Sequence, residues 1–121
     1  KNDILFIDSS HVIKPQGDII KIFLEILPKL KAGVIIHIHD IFSPRDYPEN
    51  WLKVENRFFN EQYLLEGILG HSSRYEIMLS LNLLKNDYYN EIKKVFWPST
   101  GCKEIDILMQ RYLKRKYKIN S

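Results

Sequence analysis

The sequence predicts an α/β fold with a mostly parallel sheet, and three observations carry that reading. Two short runs, the unbroken apolar Ile4-Leu5-Phe6-Ile7 and Val34-Ile35-Ile36-His37-Ile38, apolar but for His37, end abruptly on polar residues, Asp8 and His39-Asp40. Such runs fit strands covered on both faces by helices. Between them Ile19, Ile22, Phe23, Ile26, Leu27 and Leu30 recur at helical spacing. Strand, helix and strand within about forty residues make a βαβ unit, whose strands are parallel neighbours. Both strands then deliver their polar ends to one carboxyl edge, where open α/β sheets place ligands.

The punctuation supports each element. Pro15 and Gly17 break the chain after the first strand, and Asp18 is placed to cap the helix that follows. Pro28 turns the end of that helix, and Lys31-Ala32-Gly33 leads out of it. Residues Ile41 to Arg57 hold Pro44, Pro48 and several aromatics without periodicity, which reads as a long loop. Tyr47 and Trp51 favour order in that loop, as a lid or as packing. Phe58 to Leu69 reads as a helix stopped by Gly70. Tyr75-Glu76-Ile77-Met78-Leu79 alternates as a strand, and Leu81 to Phe96 is helical with Leu81, Leu84, Tyr88, Ile92 and Val95 on one stripe. Residues 105–116 fit a helix by propensity, while Ile105, Ile107, Met109 and Leu113 also fit one face of a strand.

Composition narrows the function classes. The 121 residues suffice for one domain, and 45% hydrophobic with 27% charged residues is ordinary for a soluble globular chain. No apolar run approaches a membrane span. Lys1-Asn2-Asp3 runs straight into the first strand without a signal-peptide pattern. Cys102 is the only cysteine, so an internal disulfide and a thiolate zinc cluster are excluded, and a cytoplasmic location is expected. The net charge of +3 is concentrated in Arg111, Lys114, Arg115, Lys116 and Lys118; the other 13 basic and 15 acidic residues leave a body of −2. An acidic body with a basic tail is not a nucleic-acid surface.

Several segments together resemble class I S-adenosylmethionine-dependent methyltransferases. Asp3-Ile-Leu-Phe-Ile-Asp-Ser-Ser-His11 is similar to their fourth strand followed by Asp-x-x-His. Leu27-Pro-Lys-Leu-Lys-Ala-Gly-Val-Ile-Ile-His-Ile-His-Asp40 is similar to their turn, fifth strand and terminal His-Asp. Ile41-Phe-Ser-Pro-Arg-Asp-Tyr-Pro48 and Asn60-Glu-Gln-Tyr-Leu-Leu65 resemble a subset with a longer loop. The resemblance implies the carboxyl-terminal half of a partial Rossmann-like methyltransferase fold over residues 1–121, with the fourth, fifth and sixth strands. It also implies an antiparallel seventh strand near Asp106 to Lys114, against the propensity there. The glycine-rich turn that grips S-adenosylmethionine in the family has no counterpart, because none of the five glycines makes G-x-G. The chain is therefore expected to be part of a longer protein, inactive and without tight cofactor binding alone, with Asp8 as its one cofactor-contacting residue.

Asp8, His11, His39 and Asp40 are the candidate chemistry. Period two puts His37 on the same face as His39 but inside the strand, as a core histidine. Imidazole and carboxylate together suit a divalent metal, for which Asp8, His11, His39 and Asp40 are the candidate ligands. Without metal, His11 or His39 is the candidate general base, oriented by Asp8 or Asp40. The plain alternative is that the acids cap loops and the histidines bond to backbone. Lys14, Arg45, Tyr47, Arg57 and Tyr63 are candidate substrate-binding residues, and capping is the ordinary reading of Asn60 and Glu61.

The function implied is methyl transfer to a small-molecule or sugar hydroxyl or amine. A metal phosphohydrolase using His11, His39 and Asp40 is the enzymatic alternative, and an assembly or interaction half-domain the non-enzymatic one. Neither nucleic acid nor membrane is expected as a partner. The strand over Asp3 to Asp8, lacking its family neighbour, is expected to drive self-association.

Overall fold

A computed structural model describes residues 3–96 and shows a mixed α/β arrangement. Among the described residues there are two strands, β1 (Ile4–Ile7) and β2 (Ile35–Ile38), and five helices. The helices are α1 (from Asp18), α2 (Glu49–Lys53), α3 (Glu61–His71), α4 (Leu81–Asp87) and α5 (Tyr89–Phe96). Internal contacts divide the chain into two units, Lys1–Met78 and Leu79–Ser121. None of the helices is long and apolar enough to cross a membrane. The segment 105–116, Cys102 and the basic tail lie outside the described residues.

The strands pair in parallel, with Ile4 opposite Ile35, Phe6 opposite His37 and Ile7 opposite Ile38. Alternation sorts their side chains. Leu5, Ile7, Ile36 and Ile38 pack with Ile19, Phe23 and Leu27 of the connecting helix to form the core. Phe6 points the other way and is 50% exposed, so the expectation of strands buried on both faces is corrected to one buried face. Within the first unit the connecting helix and α3 pack on the Leu5/Ile7 side. His37 is accordingly half-buried and stacked on Phe6 at 4.9 Å rather than enclosed in the core.

The connecting helix changes pitch along its length. It is α-helical over Asp18–Lys21, widens to a π turn over Ile22–Ile26 and tightens to a 3-10 turn over Leu27–Lys29. Residues four apart drift around an α-helix of 3.6 residues per turn, and a wider turn offsets the drift. Ile19, Phe23 and Leu27 thus all stay buried, whereas Ile26 is turned toward solvent. Pro28 sits in the tight turn, where its missing N–H costs little. Gly33 then takes φ +88°, a conformation that favours glycine, and β2 begins at Ile35 rather than Val34. Asp18 does not cap its helix. Its carboxylate accepts bonds from Ser10 N and Ser10 Oγ at 2.8 and 2.6 Å, and these hold its pKa below the usual carboxylate value.

Four further expectations are revised. The long loop contains the short helix α2. Helix α3 begins at Glu61, three residues later than Phe58, and Gly70 lies inside it; the chain leaves the helix at Ser72. Tyr75 to Leu79 is not a strand. Arg74 Nη2 instead donates to Pro28 O and Leu30 O at 2.8 and 3.2 Å, and Tyr75 packs on the core. Ile77 and Met78, on opposite sides of the alternation, are both exposed, because the pattern has no ladder partner among the described residues. The helix over 81–96 is interrupted at Tyr88, whose φ of −126° and ψ of 30° divide it into α4 and α5 within the second unit.

Candidate functional site

The polar edge is built outward from the ladder. His39 N donates to Ile7 O at 2.9 Å, which brings the residues just beyond both strand ends side by side. Asp8 leaves β1 there, and Asp40 turns away from β2 with φ +54°. His11 also has a positive φ, +57°, uncommon for a residue with a side chain. Its neighbours hold that conformation: His11 N donates to Ser9 Oγ at 3.1 Å, and His11 O accepts from Asn60 N at 2.9 Å and Glu61 N at 3.3 Å. The local backbone thus aims a buried imidazole into the edge.

His11 makes its shortest side-chain contact with Glu61, at 2.9 Å from Nδ1 to Oε2. Glu61 is fully buried, and Ser9 Oγ donates to the same oxygen at 2.9 Å. Its other oxygen, Oε1, is buried without a hydrogen-bond partner. On the far side of the ring, His11 Nε2 lies 3.4 Å from Asp8 Oδ1 and 3.8 Å from Asp40 Oδ2. His39 Nδ1 lies 3.8 Å from Asp8 Oδ1 and 3.1 Å from Asp40 Oδ1. The last separation is short but off the hydrogen-bonding direction, so His39 Nδ1 too is buried and unpartnered. The structure therefore brings Asp8, His11, His39 and Asp40 together.

Three carboxylates around two imidazoles are electrostatically unbalanced when the rings are neutral, and such an arrangement attracts a cation. Asp8, His11 and His39 each offer a ligand atom, and these atoms all lie within 4.8 Å of one another. Small side-chain rotations would bring them to a common ion. The set combines nitrogen with oxygen donors, which suits a divalent transition metal.

The candidate substrate-binding residues lie in varied settings. Lys14 is exposed, and its carbonyl accepts from Gly17 N at 3.0 Å. Arg45 is tied through its main chain, its carbonyl accepting from Gln62 Nε2 at 2.8 Å. Tyr47 is buried; its hydroxyl accepts from Gln62 N at 3.1 Å, and burial pushes its pKa up to about 12. Arg57 stacks over Trp51 at 4.7 Å and meets Glu55 at 2.8 Å. Tyr63 donates its hydroxyl to Asp46 at 2.6 Å, which raises the phenol pKa and lowers that of Asp46. Tyr47, Trp51 and Phe59 form an edge-to-face cluster, and Phe59 rests 4.6 Å from the His11 ring.

Comparison with known proteins adds no relative. No family model, curated protein or solved structure matches this chain. The site stands on its own geometry.

Sequence reasoning missed Glu61, together with Asn60 and Gln62. None of their side chains caps α3. Asn60 Oδ1 accepts from Ile13 N at 2.6 Å, and Gln62 Oε1 accepts from Phe42 N at 2.8 Å. Three consecutive residues thus fasten the segments beyond both strands to one helix. A signal for Glu61 did exist. Glu61, Leu64, Leu65 and Ile68 stand at i, i+3, i+4 and i+7, and that stripe packs inward.

Proposed function

We propose that this chain supplies the acceptor side of an S-adenosylmethionine-dependent methyltransferase centre. The observation that carries the reading is the convergence of Asp8, His11, His39 and Asp40 at the carboxyl ends of two adjacent parallel strands. The segments Asp3 to His11 and Leu27 to Asp40, which resemble the methyltransferases, are the ones that build this edge. The acceptor is a small molecule or sugar bearing a hydroxyl or amine. Its heteroatom attacks the donor methyl in line, and His11 Nε2 takes the proton released. Asp8 and Asp40 lie where they favour the imidazolium so formed. The chain has no G-x-G turn, so Asp8 is the one residue assigned here to the donor.

A second reading of the same edge is favoured by the unpartnered His39 Nδ1 and the compact ligand set. Asp8, His11 and His39 would hold a divalent cation, with Asp40 beside them. When bound, the ion supplies positive charge that orients and acidifies an acceptor hydroxyl.

The decisive experiment is methyl transfer by the product of the complete gene. Release of S-adenosylhomocysteine is followed against a panel of hydroxyl and amine acceptors. Turnover that falls at least about a hundredfold in His11→Gln supports the reading. No turnover with any acceptor, or turnover indifferent to His11, sinks it.

A further inference from the structure

We propose that Glu61 is the positioning residue of this centre, holding His11 in the tautomer protonated on Nδ1 so that Nε2 presents a lone pair to the strand edge. The inference deepens the reading of His11 given above and rests on it.

Several observations converge on this role. Glu61 is 0% exposed, on the inward stripe of α3, where a carboxylate is costly unless it is bonded. It takes two donors on one oxygen, Ser9 Oγ and His11 Nδ1, each at 2.9 Å. A carboxylate can only accept, so the His11 nitrogen that faces it carries the hydrogen. In a neutral ring the proton then cannot sit on Nε2, which points at Asp8 and Asp40.

The surrounding bonds make the contact rigid. Glu61 N also donates to His11 O, so the same residue grips the histidine by its main chain and its ring. Asn60 fixes the next turn of the loop through Ile13 N, and Phe59 packs on the ring face at 4.6 Å. His11 is therefore held in one rotamer, in a backbone conformation that only such bonding sustains. A carboxylate behind an imidazole fixes the tautomer and the ring orientation, whether the other nitrogen meets a substrate or a metal.

The test is the proton position on His11 in the full 121-residue chain, labelled with nitrogen-15 and treated with chelator. A long-range proton–nitrogen spectrum, recorded where the ring carries a single proton, distinguishes the two neutral tautomers. His11→Gln identifies the signal among the four histidines. The expected result is hydrogen on Nδ1 and a bare Nε2. Glu61→Gln, whose amide can donate to Nδ1, should move the proton to Nε2 or mix the tautomers. It should also weaken zinc binding by about 10–100-fold where the cation is held. Ser9→Ala, which leaves the carboxylate in place, should keep the tautomer.

Hydrogen on Nε2 in the unmodified chain would overturn the proposal even if Glu61→Gln fails to fold. So would a Glu61→Gln protein that keeps the original tautomer. If the tautomer is as expected and the complete gene product transfers no methyl group, the methyltransferase reading fails and the role of Glu61 stands.

Discussion

His39 donates its main-chain N–H to the carbonyl oxygen of Ile7 at 2.9 Å, and that bond sets the composition of the polar edge. A slip of one residue would turn His39 to the opposite face and replace it with Ile38 or Asp40. Because the register pairs Ile7 with Ile38, Asp8 and His39 emerge together, with their side chains 3.8 Å apart at the closest ligand atoms. Everything proposed for the site depends on this alignment.

The first prediction concerns a cation. Zinc or manganese titrated into the chain should bind at one equivalent, read by calorimetry. Asp8→Asn or His39→Ala should weaken binding at least about tenfold, the scale on which even residues behind a metal's ligands matter. Stoichiometric binding unchanged in both variants would place the ion elsewhere.

Binding of the methyl donor is expected to behave differently. These 121 residues contain no G-x-G turn to cradle S-adenosylmethionine. Calorimetric titration of the chain by itself should give no saturable heat at micromolar concentrations. Micromolar affinity would show that the donor site is here after all.

Association follows from the exposed side of the sheet. Among the described residues β1 pairs only with β2, which leaves one row of its main-chain groups open beside Phe6, itself 50% exposed. The chain should dimerise or assemble further through residues Asp3 to Asp8, as seen by light scattering. Phe6→Lys should shift it toward monomer. Leu5 is a poorer choice, because it packs on the core. A monomer with unaltered Phe6 at high micromolar concentration would refute the idea.

Stability should depend on the connecting helix. Ile19 is fully buried between the helix and the sheet, and its truncation leaves a cavity. Ile19→Ala should cost about 2–4 kcal/mol in urea unfolding. A cost below about 0.5 kcal/mol would mean that the helix does not cover the sheet as described.

Alkaline pH should loosen the aromatic cluster. Burial raises the Tyr47 phenol to about 12, above the ordinary value near 10 of the unfolded chain. A raised folded-state pKa means that the stabilisation is intact below about pH 10 and is lost as pH climbs toward 12. Circular dichroism over that range should show the decline, and Tyr47→Phe should flatten it. The same substitution leaves Gln62 N–H without its acceptor, at a cost of about 1–2 kcal/mol at neutral pH.

The legible parts of the fold were those that short-range pattern encodes. Ile4–Ile7 and Ile35–Ile38 were readable because a short, largely apolar run ended by polar residues marks a strand regardless of what surrounds it. Helical spacing of Ile19, Phe23 and Leu27 likewise needed only their own separations. Parallel pairing then follows from connectivity, which is why the sequence alone groups Asp8, His11, His39 and Asp40. Tyr75 to Leu79 had an equally good pattern and forms no strand, since alternation describes two faces without supplying a partner.

The sequence by itself determined the two parallel strands, the helix between them and the polar residues at their carboxyl ends. Only the tertiary structure decided that Leu5 and Ile7 face the helical core while Phe6 stays half-exposed, and that Glu61 is a buried polar residue rather than a cap. The reason is physical. A face or a strand end is specified by neighbours a few residues apart, whereas a buried carboxylate is tolerated only where a partner arrives to bond it. For Glu61 that partner is His11, fifty residues away in the chain.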